Sequence, residues 1–98
     1  MKKEGQYKAR KGLIKITLDE NDEVIKKIVI SGDFFLYPED KLWVLEQLLM
    51  GIKLSREDLL AKIREFYDLQ KIFSPGVTPE DFTEAIMIAT CPAEPLEK

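Results

Sequence analysis

The chain has 98 residues, 45% hydrophobic and 34% charged, with a formal charge of −3 at neutral pH. This composition fits one folded, soluble domain with a modest core; it excludes a disordered chain and a generally basic nucleic-acid binder. There is no histidine and a single cysteine, Cys91, so the commonest general base and metal ligand are missing and no disulfide or cysteine metal site fits within one chain. No apolar run approaches the ~20 residues that span a bilayer, and no apolar stretch follows the first lysines as it would in a secretory leader. A cytoplasmic location is therefore expected, with no membrane partner.

The first segment, Tyr7 to Arg10, extends the following strand or pairs at an edge. From Gly12 to Leu18, Ile14, Ile16 and Leu18 alternate with Lys15 and Thr17, the period of a strand with one buried face. Asp19 to Asp22 is turn chemistry, because short polar side chains bond their own backbone. Glu23 to Ile30 is rich in β-branched residues and reads as the returning strand. Ser31-Gly32-Asp33 reads as the turn out of it, with Gly32 in a backbone conformation closed to other residues. Pro38 suits the first turn of a helix, and Leu42, Leu45, Leu48 and Leu49 recur at helical spacing, with Trp43 and Val44 broadening the apolar face. Gly51 stops that helix. Ser55 to Asp58 forms a near capping box opening a second helix with Leu59, Leu60, Ile63, Phe66 and Tyr67 inward. Thr78 caps a third helix at Pro79, with Phe82, Ala85, Ile86 and Ala89 inward; Pro92 and Pro95 end it. The expected fold is α+β: a small antiparallel sheet of two to three strands, then three helices packed on one face. One domain spans 1–98, with its core at about 7–89 and loose tails at 1–6 and 91–98.

Chemistry is sparse. No histidine stands ready to activate a serine or Cys91, which reads as a bystander thiol, and the glycines are too scattered for a phosphate loop. The acids of Asp19 to Glu23 do not match a calcium loop and read as a solvated turn. Two features stand out. Phe34, Phe35, Leu36 and Tyr37 cannot all be buried by so small a body when extended, since alternate side chains face opposite ways; one phenylalanine is expected to anchor the core and the remaining aromatic edge to be left for a partner. Residues 1–15 carry six cations, Lys8, Arg10 and Lys11 among them, against Glu4 alone. They serve phosphates or an acidic partner, or are a solvated terminus; one nearby tyrosine is a poor platform for RNA.

Gly12-Leu13-Ile14, Gly32-Asp33-Phe34-Phe35, the leucines of 42–49, Gly51 and the Gly76 to Ile86 segment, in that order, resemble the C-terminal accessory domain of lipoate–protein ligases over roughly residues 7–89. In that family the domain is fused behind a catalytic domain or forms a separate small subunit; a free-standing chain of this length fits the second case. The resemblance implies a heterodimer with a large catalytic subunit that activates lipoate with ATP and magnesium, makes lipoyl-adenylate and pyrophosphate, and then transfers the lipoyl group to a lysine of an acceptor domain. It implies no catalytic residue and no cofactor bound by this chain alone. Lys8, Arg10 and Lys11 are the candidates to face the nucleotide, and Gly32, Asp33, Phe34, Phe35 and Tyr37 the candidate partner interface. The alternative is a non-catalytic interaction module resembling iron–sulfur assembly scaffolds, against which the lack of reactive cysteines counts.

Overall fold

The computed structural model describes residues 2–90. Three strands, β1 (Lys2–Ala9), β2 (Gly12–Asn21) and β3 (Val24–Asp33), form an antiparallel sheet in the order β1-β2-β3, followed by α1 (Lys41–Leu49), α2 (Arg56–Gln70) and α3 (Pro79–Thr90). This is the expected α+β plan, with the sheet at its larger size. The tail expected at 1–6 is instead largely strand: from Lys2 onward it pairs with β2 as far as Asp19. Helix α3 presses on β1 so closely that a Cβ on Gly5 would lie 2.7 Å from the Ala89 backbone. The tail expected at 91–98, with Cys91, Pro92 and Pro95, lies outside the described residues.

The β2–β3 turn falls later than Asp19 to Asp22. Asp22 and Glu23 both have positive φ (56° and 63°), the signature of the two-residue turn whose twist matches a hairpin. Asp19 to Asn21 therefore remain strand. Opposite Asp19 and Glu20 the register shifts, so that Asp19 faces Lys27 while Glu20 faces Ile25. Lys26 is the extra residue of a bulge, and it lets Ile25 and Ile28 both face inward despite their odd spacing.

The inner face carries Ala9, Ile14, Ile16, Leu18, Ile25, Ile28 and Ile30, all buried. Helix α3 covers β1 and β2, α1 covers β3, and α2 packs against both helices through Leu59, Ile63 and Phe66. Burial of this single face holds the sheet, because three strands need an apolar layer over one side to be stable. The outer edge of β3 is also closed: Glu46 of α1 accepts the Ile30 N–H at 2.8 Å, and Ile25 exchanges backbone bonds with Ile52 and Gly51.

Three local expectations are corrected. Helix α1 starts at Lys41, because Pro38, which follows a cis peptide bond, sits in a turn whose carbonyl accepts the Lys41 N–H. Trp43 is 64% exposed, on the side of α1 away from Leu45 and Leu49. The Ser55 side chain makes no cap bond; the reciprocal box forms at α3, where Thr78 Oγ1 accepts the Asp81 N–H and Asp81 accepts the Thr78 N–H. Thr78 is thus the cap that the sequence indicates.

Gly32 and Asp33 belong to β3 rather than to a turn. Gly32 has φ +133°, and a Cβ there would lie 2.0 Å from the Leu13 carbonyl oxygen. Gly51 also has positive φ, +87°, but faces open space. We expect Gly32→Ala to cost about 3 kcal/mol or more and Gly51→Ala about 1 kcal/mol. Urea unfolding of both variants checks this, and equal losses would contradict a steric requirement at Gly32.

Candidate functional site

The β1–β2 turn and the C-terminal end of β3 lie at one end of the sheet, since Leu13 pairs with Lys8 on one side and Asp33 on the other. The chain between α2 and α3 also reaches this end. Two surfaces result.

The first is aromatic. Phe34 turns inward and packs edge-on against Phe82, with ring centroids 5.5 Å apart at 84°. In an extended chain Phe35 must then face out, Leu36 in and Tyr37 out. Leu36 is buried, while Phe35 and Tyr37 are 60% and 42% exposed with rings stacked 6.3 Å apart at 10°. Tyr37 and Phe73 exchange both backbone hydrogen bonds, at 2.8 and 2.9 Å, a pairing that sends the two side chains to the same side. Phe73 is 65% exposed. Phe35, Tyr37 and Phe73 therefore form a row of exposed rings, bordered at Phe35 by a shallow cleft of about 350 Å³ lined in part by Gly32, Phe34, Glu39 and Leu42. Asp33 ends β3 beside them, exposed. Phe73 escaped the sequence reading; the available signal was a phenylalanine beyond the inner stripe of α2, in a turn where nothing nearby buries it.

The second surface is basic. Arg10 and Lys11 form the β1–β2 turn and line an open cleft of about 660 Å³ with Tyr7, Gly76, Thr78 and Asp81. The Lys11 N–H donates to the Gly76 carbonyl at 3.2 Å. Gly76, at φ +81°, lies flush against the Lys11 stem, where a Cβ would come within 2.3 Å of Lys11 Cβ. Lys8 does not join them: it faces outward on the uncovered side of the sheet. Among the described residues no ion pair engages Lys8, Arg10 or Lys11.

The loop under this cleft is held from within. Tyr67 Oη and Ser74 Oγ are 2.6 Å apart, and the Ser74 hydroxyl donates to the Val77 carbonyl at 2.7 Å. Burial pushes the Tyr67 phenol up to about 12, and the nearby carboxylates of Asp81 and Glu80 add to the effect. Glu80 itself is held below the usual carboxylate range by the Arg64 guanidinium. The same short loop carries Phe73 of the aromatic row and Gly76 of the basic cleft, so the two surfaces are mechanically joined.

Among the described residues no cluster of three or more His, Cys, Asp or Glu side chains could hold a metal ion. No helix among the described residues is long and apolar enough to cross a membrane.

Comparison with known proteins places this architecture. Residues 1–86 match the family described as bacterial lipoate protein ligase C-terminus. The chain is 46% identical over 82 residues to lipoate-protein ligase A subunit 2 of Thermoplasma acidophilum, covering 84% of each chain. It superimposes with a TM-score of 0.80 and 46% identity, over 88% of this chain and 94% of the other, on a chain from the structural analysis of an archaeal lipoylation system, a bi-partite lipoate protein ligase and its E2 lipoyl domain from the same organism.

A phenol held near 12 in the fold and near 10 when unfolded adds stability that is complete below pH 10 and is lost as pH rises towards 12. Tyr67→Phe is expected to remove a tyrosinate absorbance step near pH 12 and to flatten the fall in stability above pH 10. Full ionisation of Tyr67 at pH 10 would refute the buried placement.

Proposed function

We propose that this chain, which belongs to the bacterial lipoate protein ligase C-terminal family, is the small subunit of a two-component lipoate–protein ligase. It assembles in the cytoplasm with a large catalytic subunit into a heterodimeric unit that forms lipoyl-adenylate from lipoate and ATP. The lipoyl group then passes to a lysine of an acceptor domain. The observation that carries this reading is the row of Phe35, Tyr37 and Phe73, exposed at the end of the domain that also bears Arg10 and Lys11, which no ion pair engages among the described residues. Exposed aromatic clusters on small charged proteins are the surfaces that partners desolvate. The iron–sulfur scaffold reading has less behind it, because the chain carries a single cysteine, Cys91, where such scaffolds need several.

We assign ATP, magnesium and lipoate to the large subunit; among the described residues no side-chain cluster could hold a metal ion. In adenylation the lipoate carboxylate attacks the α-phosphorus and the bond to pyrophosphate breaks, leaving negative charge on the departing oxygens. Once the aromatic row has docked, Arg10 and Lys11 lie at the same end of the domain and supply positive charge and hydrogen-bond donors to that region. Docking also excludes water, which protects the acyl-adenylate from hydrolysis. Gly32, Asp33 and Phe34 act from behind: Gly32 and Phe34 fix the path of the segment, and Asp33 ends β3 next to the row.

Reconstitution tests the reading. Mixing this chain with a large subunit is expected to raise lipoate-dependent ATP–pyrophosphate exchange by about tenfold or more; an unchanged rate would overturn it. Phe35→Ser with Phe73→Ser is expected to weaken assembly by about 2 kcal/mol or more while leaving the small chain's own melting nearly unchanged, because both rings are exposed. Arg10→Glu with Lys11→Glu is expected to lower exchange in the assembled complex by about tenfold. Assembly and exchange indifferent to these changes would remove the assigned surfaces.

A further inference from the structure

The two edges of the sheet are treated differently. The outer edge of β3 is closed by Glu46, Ile52 and Gly51. The outer edge of β1 is open: among the described residues, nothing bonds its outward backbone groups. Which groups these are follows from one observed bond. The Ile30 N–H donates to Glu46, away from β2, so the opposed pair Ile16–Ile30 is not hydrogen-bonded. Ile16 must then bond on its other side, to Gly5 of β1. Gly5 and Tyr7 therefore turn their backbone groups inward, and Glu4, Gln6 and Lys8 present theirs to solvent. An open edge of this kind is a template for another strand.

We propose that this edge pairs with the β1 edge of a second copy of the chain, antiparallel and about a two-fold axis through Gln6, joining two sheets into one of six strands. Charge selects the occupant and the register. About Gln6, Glu4 of each copy faces Lys8 of the other, and both pairs fall at hydrogen-bonded positions. Centring on Gly5 sets Lys2 against Lys8 of the second copy, centring on Glu4 sets two glutamates face to face, and centring on Tyr7 leaves Lys8 opposite Gln6 and Glu4 opposite Arg10, which lies in the turn beyond the strand. Only the Gln6 register brings opposite charges of the strand together. Lys2 lies beyond the paired residues, opposite Asp19 of its own β2. On the inner face the same register places Tyr7 opposite Gly5 of the second copy.

The helix layer agrees. Asp81 of α3 lines a cleft with Tyr7 and Arg10, so its flank of the helix overlooks β1. Ile88 lies two turns further along the same flank, and at 42% exposure is an apolar side chain without cover. Ala89 next to it rests on Gly5, the neighbour of Gln6. Ile88 thus stands beside the proposed axis, where its counterpart in the second copy covers it. Lys8, set apart from Arg10 and Lys11 in the fold, acquires its role here. The aromatic row takes no part in this pairing and remains available to the large subunit.

Sedimentation of the full chain decides the matter. The wild-type chain is expected to sediment at twice its 11.3 kDa mass at about 0.1 mM, a concentration that populates even a modest interface. Lys8→Glu sets Glu4 against a new carboxylate at both ends and is expected to weaken the dimer by about tenfold or more, while Glu4→Lys with Lys8→Glu restores it. Gln6→Pro deletes an outward N–H that the β1–β2 pairing does not use, and is expected to yield a folded monomer by circular dichroism. A monomeric wild-type chain at that concentration overturns the proposal, as does a charge-swapped double variant no better than Lys8→Glu. So does a monomeric wild type whose Gln6→Pro variant no longer assembles with the large subunit, because the edge then serves that subunit instead.

Discussion

Phe34 packs edge-on against Phe82, and the direction of every side chain from there to Pro38 follows from that contact. An extended chain alternates its faces, so a Phe34 pointing inward commits Phe35 and Tyr37 to solvent and Leu36 to the core. The same contact ties the end of β3 to α3, the helix that covers β1 and β2. Gly12 and Gly32 leave the space for this crossing: a Cβ on Gly12 would meet Phe34 Cβ at 2.7 Å, and one on Gly32 would meet the Leu13 carbonyl. Reversing the parity of this short segment would bury two rings that have no pocket and expose the two residues that complete the core.

The rest of the functional end is built by loops that brace one another. The segment between α2 and α3 pairs with Tyr37 through Phe73, is pinned internally by Tyr67 and Ser74, and receives the Lys11 N–H at Gly76. The aromatic row and the basic turn are thereby attached to one and the same loop. Such bracing suits the proposed small-subunit role, in which docking at one surface would set the position of charge at the other. It also fits membership of a ligase family by a chain without histidine and, among the described residues, without a metal cluster, since the positioning and water exclusion proposed for it need only a rigid body with the right surface.

The sequence by itself determined the element types and much of their order. Ile14, Ile16 and Leu18 alternate, and the leucines of α1 and the inner stripes of α2 and α3 recur at helical spacing, because those periods are imposed by one-sided burial. It also pointed to Thr78 as a helix cap, Gly51 as a stop, Gly32 as a strained position, and one of two adjacent phenylalanines as an anchor; each is a local requirement written in adjacent residues. Tertiary structure alone decided what depends on distant partners. Lys2 to Gln6 look like a charged tail until β2 offers its backbone, since an edge strand facing solvent needs few apolar residues. Ile25 and Ile28 fall out of alternation until the bulge at Lys26 is seen. Trp43 is apolar yet exposed, because α2 and β3 approach α1 from its other sides. Phe73 joined the aromatic row only when the chain folded back beside Tyr37, and Lys8 parted from Arg10 and Lys11 because a strand sends successive side chains to opposite faces while a turn does not. Local periodicity fixes which way a residue faces within its own element; only packing between elements fixes what it then meets.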